Sequence, residues 1–98
     1  MKNVQLSTAS EIVSSFFGFN VADGHKNVSN SQKYNAKKML IKLVVENEGL
    51  RLKEAGAMVR VSESYASILY TLMNKEMSNS FVRETYKLLK ERAYGVAN

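Results

Sequence analysis

The chain has 98 residues and a net charge of +5, which describes one small basic domain with room for a single core. Hydrophobic residues at 45% and charged residues at 23% exclude a disordered chain, and the lack of cysteine excludes disulfides and thiolate metal sites and fits a reducing cytoplasm. The polar Ser-Thr-Ala-Ser stretch near the start reads as no signal peptide. The longest apolar run, Met39 to Val45, is interrupted by Lys42 and too short to span a bilayer, so no membrane partner is expected.

No proline interrupts the chain, which favours helices throughout. A first helix is predicted from Ala9 to Phe17. Thr8 and Glu11 have capping-box spacing, and Gly18 is its stop. Ile12, Val13, Phe16, Phe17 and Phe19 give this segment an unusual apolar density. One short helix has too narrow a face for all five, so they are candidates for oligomerisation, with residues 1–19 as an arm; covering the protomer's own core is the other reading. Residues 20–31 read as a loop, with a turn signal at Asp23-Gly24. This loop could let the first helix swing away or exchange with a partner.

Residues 32–95 are the expected core. A second helix is predicted from Ser31 or Gln32 to Glu48, stopped by Gly49. Ala36, Met39, Leu40, Leu43 and Val44 form its stripe, and Ile41 and Val45 widen it, implying contact on more than one side. Lys33, Lys37, Lys38 and Lys42 carry its charge.

The most informative stretch is LKEAGAMVRVSESYASILYT, residues 52–71, whose pattern is that of a helix-turn-helix. Gly56 is the small residue at the helix crossing, and Ala55, Val59, Val61, Ala66 and Leu69 are the apolar glue. Ser62 can cap the second helix, which extends to Asn74. Arg60 stands where such turns usually carry a glycine in the left-handed conformation. That geometry costs a side-chain-bearing residue about 1 kcal/mol, so a turn of different shape is expected here. A last helix is predicted from Phe81 to Ala93, with Gly95 past its end. The expected fold is all-α, about five helices with a central helix-turn-helix and no wing.

Reactive groups are sparse. The single histidine, His25, lies beside Asp23 in the loop, and there is no phosphate-binding glycine loop and no paired-histidine metal motif. Neither catalysis nor a cofactor nor a metal is expected. A helix-turn-helix in a basic chain points instead to double-stranded DNA. With Tyr65, Ile68, Leu69 and Leu72 turned inward, base contacts would fall to Glu63, Ser64, Ser67, Thr71 and Asn74, with Tyr70 on the flank. Arg and Lys are absent from that helix before Lys75, so modest sequence discrimination or shape reading is expected. Phosphate contacts would come from Lys53, Arg60, Lys75, Lys37, Lys38, Arg83 and Lys87. So few charges on one domain bind weakly at physiological salt, which calls for a homodimer or homo-oligomer.

From Asn35 to about Leu72 the chain resembles the PapB-type regulators of bacterial adhesin (fimbrial) operons. The likeness rests on a lysine- and methionine-bearing helix, Gly49, Lys53-Glu54 opening the motif, and Tyr65 and Ser67 in its second helix. The resemblance implies a transcription regulator that oligomerises along AT-rich promoter DNA, with Lys53, Tyr65 and Ser67 in the DNA-binding unit. A non-enzymatic, all-α protein-interaction module, an anti-repressor or adaptor, is the alternative. A second regulatory protein is a further partner consistent with either.

Overall fold

The computed structural model describes residues 8–22 and 28–95. They form five helices: α1 (Ala9–Phe17), α2 (Asn30–Glu48), α3 (Leu52–Met58), α4 (Glu63–Glu76) and α5 (Ser80–Tyr94). No strand occurs among them, so the fold is all-α.

Local chemistry sets the ends. The Thr8 hydroxyl accepts from the Glu11 N–H at 3.2 Å, while the Glu11 carboxylate accepts from the Thr8 N–H at 2.9 Å, which closes the capping box of α1. Gly18 then turns left-handed (φ 84°) and sends Phe19 and Val21 back into the core. The Ser14 hydroxyl holds this return by accepting from the Val21 N–H. α2 starts one or two residues earlier than expected, because Ser29 supplies the cap, accepting from the Gln32 N–H. Gly49 and Ser62 act where the sequence put them, and Asn79 caps α5 by accepting from the Phe81 and Val82 N–H groups. Asp23 and Gly24, and with them the expected turn, lie outside the described residues.

α2 is the hub and packs on each of α1, α3, α4 and α5. Leu40, Ile41, Leu43 and Val44 are all fully buried, which is possible on consecutive helical positions only when partners surround the helix. Burial extends to Lys38 and Lys42, 3% and 6% exposed. Each buried ammonium is compensated, as burial in low dielectric requires. Lys38 donates to both carboxylate oxygens of Glu76 at 2.8 and 2.6 Å and lies over the Tyr34 ring. Lys42 donates to Glu46 at 2.7 Å and to the Asn74 amide oxygen at 2.6 Å, with the Tyr70 and Tyr86 rings beside it.

α1 belongs to the protomer's packing. It lies on α2 and α5, with Val13 and Phe19 buried and Ile12 and Phe17 half-buried against the core. The expectation that one face is too narrow is met by geometry: Gly18 reverses the chain, so Phe19 reaches the core from the turn and not from the helix. Only Phe16 of the five is exposed.

Candidate nucleic-acid interface

α3, its turn and α4 form the element around which a DNA-reading surface would be built. Gly56 is buried where the two helices meet. A Cβ there would lie 3.0 Å from the Val61 carbonyl oxygen, 3.1 Å from the Ala66 Cβ and 3.2 Å from the Ser62 carbonyl oxygen. Almost any side chain at Gly56 would push α4 off α3.

The turn between α3 and α4 is left-handed at Arg60 in spite of that residue's side chain. Arg60 is the one described non-glycine residue with positive φ, at 59°. Its N–H donates to the Ala57 carbonyl at 3.2 Å, and the Val61 N–H donates to the Gly56 carbonyl at 2.9 Å. Those two bonds are the Schellman pair that closes a helix around a left-handed residue. The expected departure from that conformation does not occur: the paired bonds and the buried Val59 and Ala66 on either side impose it, and Arg60 absorbs the cost.

α4 buries only a narrow arc, Ala66, Leu69 and Met73. Glu63, Ser64, Ser67 and Thr71 are exposed, as is the backbone-capping Ser62. Two residues depart from the expected inward stripe. Ile68 is 53% exposed and Tyr65 41%, so both stand on the outward face beside Ser64 and Ser67. The reason is that α4 meets its neighbours chiefly through α2 and α3, which cover one side.

Other expected contact residues are committed elsewhere. Lys38 is not a surface charge, because it is enclosed by α2 and α4 and neutralised by Glu76. The Asn74 amide oxygen is taken by Lys42. The Tyr70 hydroxyl donates to Glu46 at 2.9 Å, which ties it to α2. The Arg83 guanidinium donates to the carbonyls of Met77 and, more weakly, Ser78, so it caps the end of α4. Lys87 is exposed on α5 beside Glu84 at 3.8 Å, and α5 packs on α1 and α2.

Lys53, Arg60 and Lys75 are exposed around the α3–α4 unit. Lys37 joins them through an open groove of about 400 Å³ that it lines with Lys33, Tyr34 and Tyr65. Lys33 and Tyr34 were not singled out from the sequence as contact residues. The spacing of Lys33 and Lys37, one helical turn apart, was the available signal.

Glu46 anchors the polar network behind α4. Burial pushes its carboxyl up, but bonds from Lys42, Tyr70 and Tyr86 outweigh that and hold it below the ordinary carboxylate range. The Tyr86 hydroxyl donates to Glu46 and accepts from Asn47; burial, joined by the Glu46 charge, pushes it up to about 12. Tyr94, whose hydroxyl donates to Glu48, is also raised, first by burial and then by that bond.

Among the described residues no group of three or more His, Cys, Asp or Glu could hold a metal ion, and no helix is long and apolar enough to cross a membrane. His25 lies outside the described residues. No family model, no curated protein and no solved structure matches this chain.

Proposed function

We propose that this chain is a non-enzymatic transcriptional regulator that binds double-stranded promoter DNA through α3 and α4 as a helix-turn-helix, acting as a dimer or higher oligomer. The observation that carries the reading is the turn: a left-handed Arg60 closed by paired bonds, with Gly56 pressed against the first residues of the next helix. That arrangement sets α4 at a fixed angle with its first turns outward, which is what entry into a major groove requires. Ser64, Ser67 and Thr71 would meet base edges, and Ile68 a thymine methyl. Lys53, Arg60, Lys75, Lys33 and Lys37 would meet phosphates. In the manner of the PapB-type regulators it resembles, occupancy along AT-rich DNA would block or reshape polymerase access in the cytoplasm.

A second reading has its own observation. The outward face of α4 carries Tyr65 and Ile68, and apolar groups on a helix face also suit a protein partner, as in an anti-repressor or adaptor. Titration of random duplex DNA across a salt series separates the two. A steep loss of affinity with salt supports the regulator, flattened by about one unit in each of Lys53→Ala and Arg60→Ala. Absence of binding at low salt sinks it in favour of the interaction module.

A further inference from the structure

A groove of about 470 Å³ opens where α1, α2, α4 and α5 meet, lined mainly by Phe16, Phe17, Met39, Met73 and Val82. Phe81 also lines it, yet this residue is 75% exposed, the most exposed large apolar residue among those described. A protruding aromatic and an apolar hollow thus share one face of the molecule.

We propose that this face is a homodimer interface, in which Phe81 of each copy enters the groove of the other. A two-fold dimer needs a self-complementary patch, because a residue on one copy must meet a different residue on the second and be met by it in turn. A face with both knob and hole meets that condition, whereas an unrelated partner would need only one of them. Phe16, 41% exposed, adds apolar area beside the hollow. Leu88, two helical turns after Phe81 on the same side of α5, extends the apolar stripe.

Local charge permits the same occupant. The chain carries +5, which opposes self-association in general. At the groove, however, Lys38 is neutralised by Glu76, so a docking phenyl ring buries no unpaired charge. On α5, Lys87 and Glu84 offer both signs beside the stripe. The face is carried largely by α1 and α5, so association there leaves the first turns of α4 open. The inference rests on the regulator reading for the use of the dimer, but not for the contact itself.

Sedimentation equilibrium of the full chain without DNA tests it, comparing wild type with Phe81→Asp and Ile68→Asp. Wild type should dimerise reversibly at tens of micromolar. Phe81→Asp should weaken dimerisation by roughly 30-fold or more, the cost of losing a central aromatic anchor. Its circular dichroism should match wild type, since Phe81 is a solvent-exposed position at the start of α5. Ile68→Asp should dimerise as wild type does. A monomeric wild type, an unchanged Phe81→Asp dimer, or loss of the dimer in Ile68→Asp alone would overturn the proposal. A dimer that ignores duplex DNA would leave it standing and sink the regulator reading, while a DNA-binding monomer would overturn the dimer face and spare only the DNA-binding role of α3 and α4.

Discussion

Arg60 holds the place that glycine takes at the ends of α1 and α2, where Gly18 and Gly49 are also left-handed. The conformation costs an arginine about 1 kcal/mol, and a glycine nearly nothing. Arg60→Gly should therefore raise the melting temperature by roughly 5 °C while weakening binding to duplex DNA of any sequence. Opposite movement of these two readouts is expected from a strained residue kept for its charge. A fall in both would show that the Arg60 side chain stabilises the turn. Glu46 offers a pH readout. Its carboxyl is held below the ordinary 4.5, so the native state keeps it ionised where the unfolded chain begins to protonate. The stabilisation is present above that value and is lost as pH falls through the lowered one. Glu46→Gln should cost about 1 kcal/mol at neutral pH, a modest figure because the carboxylate is about a third exposed. It should also flatten the acid limb of melting temperature against pH; an acid limb as steep as wild type's would show that other carboxylates drive the loss.

At the scale of elements, the helix ends were legible because their signals are local: Thr8 with Glu11, Gly18, Gly49 and Ser62 each act within a few residues. The faces were less legible. Tyr65 and Ile68 read as inward because they are apolar, but the arc that α2 and α3 cover on α4 reaches only Ala66, Leu69 and Met73. Sequence period gives the spacing of a stripe and not its width. Lys38 read as a surface charge because its partner, Glu76, is a distant residue that only the tertiary fold brings near. Of the candidate base-reading residues, Ser64, Ser67 and Thr71 remain on the open face, whereas Asn74 and Tyr70 are bonded to α2. Ser67→Ala with Thr71→Ala should shift sequence preference in a binding selection by about 1 kcal/mol per lost base contact, with little change in random-DNA affinity. Wild-type preference in the double variant would assign discrimination to DNA shape or to another surface.

For the whole molecule, the aromatic density near the start left two readings, an arm held by another chain or a cover for the protomer's own core. Packing places α1 in the protomer, on α2 and α5, with Val13 fully buried. Val13→Ala should cost about 2 kcal/mol in urea unfolding, as a truncation in a shared core does. A change too small to measure would detach α1 from the cooperative unit. The placement of α2 reaches further. Because it touches each of the other four helices and buries every residue from Leu40 to Val44, the backbone amides of that segment should be among the last to meet solvent. Their hydrogen exchange should then proceed only through global unfolding, with one common free energy and a denaturant dependence equal to that of the whole domain. Loosening of a single outer helix should appear first in that helix's own amides. The enclosed segment is thus a built-in clock for the opening of the entire chain.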